Sequence, residues 1–378
     1  MIKWLFKYSA VIFVFNSILL AIPQTIPLGE VIFLSLMGLY IIVFLMNINQ
    51  MKNVIFHKAF SFLLLISILN IVYFFMFHSF VDLDAIKYLL ARTMQFSILA
   101  VSIYFSYDYY RKKFLAHLVY FATVIIFLGL IVDPYLLSGR YSGLMWNPNM
   151  LSSFTTVAFG VLLLKNNRFS RFDYFLLFLF LIISLATGSR GSLVAIILAY
   201  VLRYGASKRN VLYAFLALLS ALLVTSLPFD TSVNRFVSQS MFNDRILQYK
   251  FAIQSIAQNL FVGYGLDKYS YIDMSLVPLY LEGKVKGAHN GYLAILTQYG
   301  IVFGSVILFI ILRQCIKVIR YFRQSIGVER AFLFIIIYAL FASVYESIIT
   351  GINEFHTSLF WFSLSYLSLS IFKLENES

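Results

Sequence analysis

Charge is what this sequence lacks. Only 12% of its 378 residues are Asp, Glu, Lys or Arg, about half the share found in a soluble domain, so a fully solvated surface is excluded. There is a single cysteine, Cys315, and therefore neither a disulfide within one chain nor a metal cluster built from thiolates. A small residue in a helix is the better reading of it. Prolines number six and histidines five. A phosphate-binding P-loop, an HExxH motif, a nucleophile elbow and a dinucleotide fingerprint are all missing, and no period of 20 to 50 residues recurs, which excludes repeat architectures. What the chain does have is 61% hydrophobic residues, with 40 Phe and 26 Tyr, and this composition is that of a membrane protein.

A helix needs about 20 mainly apolar residues to cross the hydrocarbon, and unpaired backbone is not tolerated there. The apolar runs are too long and continuous for a barrel, so the expected fold is all-α, a single transmembrane domain over 1–378. Twelve spans are expected, at 4–22, 28–47, 59–77, 86–106, 114–132, 149–164, 173–187, 191–204, 210–227, 289–312, 331–347 and 355–372. The first lacks a small-residue cleavage site and reads as a retained helix.

Orientation follows from basic residues, which favour cytoplasmic loops. With both termini inside, nineteen Lys/Arg lie on the cytoplasmic side against five acidic residues, and nine lie outside against eleven; Arg92 falls within a span. The net charge of +13 thus reflects topology, with membrane lipids as its partner and no nucleic acid. Fusing spans seven and eight would put Arg203, Lys208 and Arg209 outside, so the two are kept separate.

One excursion stands out, residues 228–288 outside the membrane between spans nine and ten. Within it, 244–260 places Ile246, Leu247, Ile253, Ile256, Ala257 and Leu260 at helical spacing, which predicts an amphipathic helix on the outer surface, capped by Asn243 or Asp244. External cations are scarce, and three mark local turns: Arg140 in "RYSGLMWNPN", Arg190 in "ATGSRGS" and Arg245 in the first turn of the loop helix. Several guanidinium groups on one side of a membrane suit a lipid diphosphate, because each can donate a fork of hydrogen bonds. Snorkelling to head groups is the alternative for any one of them. Arg92, about two turns below the outer end of span four, either reaches the same cavity or pairs with a carboxylate. His289 and His356 stand at outer helix ends. Gly287 and Gly291 flank His289, and Asn290 beside it can hold a sugar or orient a side chain; a helix-end His is the simpler reading, a general base the sharper one. Asp82 and Asp84 in "VDLDA" form a weak metal-binding pattern, more simply read as solvated.

The segments "RYSGLMWNPN", "TGSRGS", "NDRILQYKFAIQSIAQNLFVGYG" and "AHNGYLAILTQYGIVFG", in that order over residues 139 to 304, resemble the O-antigen polymerase and O-antigen ligase superfamily of bacterial surface-polysaccharide enzymes. The resemblance implies a glycosyltransferase in the bacterial cytoplasmic membrane that uses an undecaprenyl-diphosphate-linked glycan donor on the outer side, without a metal or cofactor. It implies that Arg190 and Arg245 contact the diphosphate, that His289 activates the acceptor hydroxyl, and that Arg140 binds substrate. A glycan or lipid-linked acceptor and a chain-length regulator are the implied partners.

Polymerase and ligase use the same donor and the same donor residues. The Gly-Ser-Arg-Gly and Asn-Pro-Asn segments lean toward a polymerase. A lipid-linked oligosaccharide flippase would bind the same diphosphate, but such transporters show internal repeats and several midplane polar or helix-breaking positions, which are scarce here. A metal-dependent transferase would need Asp82 and Asp84.

Overall fold

A computed structural model of the chain describes residues 2–136, 140–165, 168–225 and 243–377. Among these residues the protein is all-α, without a strand. The helices are α1 (Ile2–Leu19), α2 (Ile26–Met46), α3 (Ile48–Ile55), α4 (Ser61–Phe77), α5 (Leu83–Phe105), α6 (Leu115–Val132), α7 (Pro148–Lys165), α8 (Arg171–Ala186), α9 (Arg190–Tyr204), α10 (Lys208–Thr225), α11 (Asn243–Gln258), α12 (Gly291–Phe322), α13 (Val328–Ala342) and α14 (Phe355–Glu377). A short π-helical turn, Tyr110–Phe114, leads into α6. Five stretches are long and apolar enough to cross a membrane: Pro23–Met46, Lys58–Phe77, Leu83–Phe105, Tyr107–Val132 and Gly291–Phe322. The other expected spans fall on the remaining helices, among them the shorter apolar Trp4–Leu19 and Gly191–Tyr204.

Local chemistry sets the boundaries. Ser170 and Asp173 form a reciprocal capping box at the start of α8. The Asp82 carboxylate caps α5 by accepting from the Ala85 amide at 3.1 Å. Helices α8 and α9 are separate, as expected; the chain turns between them at Gly188, whose φ of 63° a residue with a Cβ rarely adopts. Helix α14 is the central post, with every residue from Thr357 to Ile371 buried. Its serines fold back onto their own helix, Ser363 onto the Leu359 carbonyl at 2.7 Å and Ser370 onto the Tyr366 carbonyl at 2.9 Å. These hydroxyls are thus satisfied without water, and the small side chains let neighbours approach closely.

Helix α12 is broken at Gly300, where φ is 68°. The backbone groups freed by the break are taken up by the segment that follows α11. Tyr264 and Gly265 donate to the carbonyls of Thr297 and Gln298 at 2.9 and 3.0 Å, and Ile301 donates to the Leu260 carbonyl at 2.7 Å. The Tyr73 hydroxyl, from α4, donates to the carbonyls of Val262 and Gln298. The two backbones touch at Gly300 and Gly263, where a Cβ on either would collide with the other strand of chain. So "VGYG", which reads as the end of the loop helix, is also a plug in a broken helix.

Helix α11 forms as expected, but it turns a different face inward. The buried residues are Gln248, Phe251, Ala252 and Ser255, while Ile246 and Ile253 are exposed. The reason is that α11 rests on α12 and on its own loop, where polar partners await: Gln248 donates to the Lys284 carbonyl at 3.2 Å, and Ser255 accepts from the Asp273 amide at 2.9 Å. Phe251 and Ala252 join Ile272, Val277, Val285 and Ala288 in a small core separate from the main one. The expected cap of α11 lies outside the described residues and side chains, as does the loop from 228 to 242.

Candidate active site

The segment 343–354, between α13 and α14, is the hub on which the motifs converge. Gly291, the first residue of α12, donates its amide to the Ser343 carbonyl at 2.7 Å and to that of Glu346 at 3.1 Å. Asn290 caps α12, accepting from the amides of Tyr292 and Leu293 at 3.0 Å while its own amide group donates to the Val344 carbonyl at 2.9 Å. From α11, the Tyr249 hydroxyl donates to that same Val344 carbonyl. Burial pushes the Tyr249 phenol up, which keeps it a donor. From the loop, Tyr269 donates to the Ser347 carbonyl and to the Glu354 carboxylate at 3.1 and 2.8 Å. Gly191 of α9 packs so tightly on the Tyr345 ring that a Cβ would collide with its hydroxyl.

This docking places Glu346 between two expected site residues. Its Oε2 is 3.2 Å from His289 Nδ1, and its Oε1 accepts from Arg245 Nη2 at 2.6 Å. Arg245 also donates to Gln248 at 3.3 Å. His289 holds φ at 40°, a left-handed value in a residue with a side chain. Such values cost of order 1–3 kcal/mol and persist where the surroundings enforce them; here the enforcement comes from the Asn290 cap and from Ala288, whose amide is tied to the Ser270 carbonyl at 3.0 Å.

His289 and Glu346 face a cavity of about 460 Å³, together with Lys286, Glu354 and His356. Asn147, just before α7, and Asn149, in its first turn, also line it. Arg140 reaches it through Asn149, to which its Nη2 donates, while its Nε donates to the Thr187 carbonyl at 3.0 Å. The "RYSG" and "TGSRG" segments therefore meet: Tyr141 also donates its amide to the Ala186 carbonyl at 3.1 Å. Arg190 begins α9 at this junction, next to the glycine that touches Tyr345; its side chain lies outside what the structure describes.

Two residues expected to bind substrate do not line this cavity. Arg92 is buried and does not line the cavity. Its guanidinium donates to Gln95, to the Tyr88 hydroxyl and to the carbonyls of Thr350 and Gly351, so it supports the hub from behind; a carbonyl-rich turn over a deep arginine satisfies the charge without a carboxylate. Asn290 likewise gives both ends of its amide to the helix cap and to Val344, a geometry that orients the chain beside His289. Asp82 and Asp84 do not face each other. Asp82 takes His78 Nδ1 at 2.6 Å and the Ala85 amide, and Asp84 pairs with Lys87 at 2.8 Å. The Ala85 amide, with the His78 ring beside it, holds the Asp82 carboxyl below the usual range.

Glu346 is the residue the sequence reading missed. A signal for it existed, because it falls inside the expected span 331–347, and an ionisable residue within an apolar run invites a functional reading. Glu354 and Tyr269 carried no comparable signal.

Among known protein families, residues 175–309 match the one described as O-Antigen ligase. The match covers well under half of the chain and is in keeping with the O-antigen polymerase and ligase superfamily. It takes in Arg190, Arg245 and His289, and leaves Arg92, Arg140 and Glu346 outside. A search of the curated proteins found no significant match. Over residues 175–309 the chain is thus similar to O-antigen ligases, and five of its helical stretches are long and apolar enough to cross a membrane.

Proposed function

We propose that the chain, on the premise of its matched domain, is a glycosyltransferase that polymerises undecaprenyl-diphosphate-linked oligosaccharide repeat units of a surface polysaccharide, an O-antigen, capsule or exopolysaccharide. The observation that carries the reading is the run of contacts His289–Glu346–Arg245 on the wall of a cavity of about 460 Å³. With Nδ1 donating to Glu346, His289 keeps Nε2 free to accept a proton. The acceptor hydroxyl gives that proton to Nε2 as its oxygen attacks the anomeric carbon. A glycosidic bond forms, the bond from that carbon to the diphosphate oxygen breaks, and the diphosphate leaves with the electron pair, so the anomeric configuration inverts. Glu346 steadies the imidazolium that results. Arg190 and the uncommitted donors of Arg245 neutralise the departing diphosphate, and Arg140 serves in binding substrate; the chemistry calls for no metal and no cofactor.

The membrane arrangement proposed with it has twelve crossings, both termini cytoplasmic and the cavity facing outward in the cytoplasmic membrane. The excess of basic residues on one side supports it, and a chain-length regulator is a partner of the same reading. The test is genetic: His289→Ala and Arg190→Ala each abolish the glycan while the protein remains folded and inserted. Wild-type glycan from a well-expressed His289→Ala strain overturns the proposal.

A second reading, an O-antigen ligase that transfers the lipid-linked glycan to lipid A core or another terminal acceptor, is favoured by the description of the matched family. A deletion strain separates the two on a surface-polysaccharide gel. Single-repeat product points to the polymerase; long chains left on the lipid carrier, with none on the core, point to the ligase.

A further inference from the structure

A second cavity, of about 470 Å³, lies at the other end of the bundle, between the start of α4, the later turns of α12 and the end of α14. On α14, His356 lines the first cavity and Glu375 the second, about 28 Å apart at about 1.5 Å of rise per residue, close to a hydrocarbon thickness. Three cations line this cavity, Lys58, Arg313 and Lys317, against one carboxylate, Glu375. All three are exposed, and none forms a side-chain ion pair with a described residue. A polar floor is fixed by Gln314, whose Nε2 donates to Ser368 Oγ at 2.7 Å and so ties α12 to α14.

The wall changes character away from the cations. Phe62, Leu65 and Phe309 line it, and Leu65 and Phe309 are at the same time exposed on the apolar flank, at 49% and 63%. Leu65 and Phe309 thus join the cavity to an exposed apolar flank. A cationic mouth joined to an apolar side wall suits a molecule with a phosphate at one end and an acyl chain at the other; a free phosphate would leave the apolar half unused.

We propose that this cavity binds an anionic phospholipid, with its phosphate among Lys58, Arg313 and Lys317 and an acyl chain along Phe62 and Phe309. The site is distinct from the His289 cavity and rests on the chain being a membrane protein, not on its reaction.

Native mass spectrometry of the purified, delipidated full chain tests it, titrated with phosphatidylglycerol, with phosphatidylcholine of the same chains, and with glycerol phosphate. A basic side chain near an anionic lipid surface contributes about 5-fold in affinity, so Arg313→Gln/Lys317→Gln weakens phosphatidylglycerol binding about 30-fold. Lys58→Gln, on a different helix, weakens it about 5-fold by itself, and Arg313→Lys keeps most of it. Phosphatidylcholine binds wild type and variants equally weakly, and glycerol phosphate does not compete. Equal phosphatidylglycerol binding by wild type and by variants of unchanged melting temperature overturns the proposal. So does phosphatidylcholine binding as tight as phosphatidylglycerol, and so does glycerol phosphate binding as tightly as the lipid, which would make this a site for free phosphate.

Discussion

Replacing Glu346 by Gln removes one charge and keeps the side-chain shape, which isolates what that carboxylate does for His289 and Arg245. The three side chains are 33%, 29% and 24% exposed for His289, Glu346 and Arg245, so water screens them in part and their resting interaction is modest, about 1–2 kcal/mol for the Arg245 pair. In the transition state the term is larger, because the imidazole gains a full positive charge while Glu346 Oε2 stands 3.2 Å from Nδ1. An orienting carboxylate behind a catalytic histidine contributes up to about four orders of magnitude when fully buried. Partial exposure brings this to about 3–4 kcal/mol here, or a fall of about 10²–10³ in the rate of transfer. The assay is glycan transfer by purified protein in detergent, from a lipid-linked donor, with thermal unfolding in parallel. Groups that act as a unit are non-additive, so His289→Ala/Glu346→Gln should be no slower than His289→Ala alone. Transfer by Glu346→Gln within about 5-fold of wild type, at unchanged stability, would refute the reasoning; so would fully additive losses in the double variant.

Three other outcomes are expected. Gly300→Ala should lower the unfolding midpoint severely, by the equivalent of about 3 kcal/mol or more, because a left-handed φ costs a non-glycine residue about 1–2 kcal/mol and its Cβ also meets the Phe261 carbonyl; Gly38→Ala, with open space around it, is the control and should be neutral in the same fluorescence-detected unfolding. Asp82 has a folded pKa below its ordinary value, so its contribution to stability is present above the unfolded carboxylate pKa, near 4, and is lost as pH falls through the lower folded value. Asp82→Asn should therefore flatten the acid side of the stability profile, and an unaltered profile would contradict the assignment. Single cysteines in a Cys315→Ser background should label from opposite sides, Lys286→Cys with an impermeant maleimide added outside and Lys208→Cys only after the membrane is opened; the reverse pattern would invert the proposed topology.

The helices were legible because hydrocarbon thickness writes itself into run length. Helices appear at all twelve expected positions, five stretches of them long and apolar enough to cross a membrane, and the turn at Gly188 that separates α8 from α9 was visible in "ATGSRGS". The convergence of Arg140, Arg245 and His289 was legible only as membership of one side. Nothing in a local window shows that Asn149 will stand between Arg140 and the cavity, or that Gly191 will touch Tyr345. Arg92, Asn290 and the apolar stripe of α11 were each read from their own segment, whereas their partners, carbonyls of 350 and 351, the Val344 carbonyl and the loop beside Lys284, come from segments 36 to 259 residues away.

Composition, run length and basic-residue asymmetry depend on each residue's own affinity for lipid or water, and that is why the sequence alone determines an apolar, all-helical chain with one marked segment between its long helices. Pairing depends on which carbonyls and carboxylates the packing brings within 3 Å. Only the tertiary structure could decide that the turn 343–354 is the anchor of the site, that Glu346 bridges His289 and Arg245, and that a break at Gly300 receives the chain at Gly263.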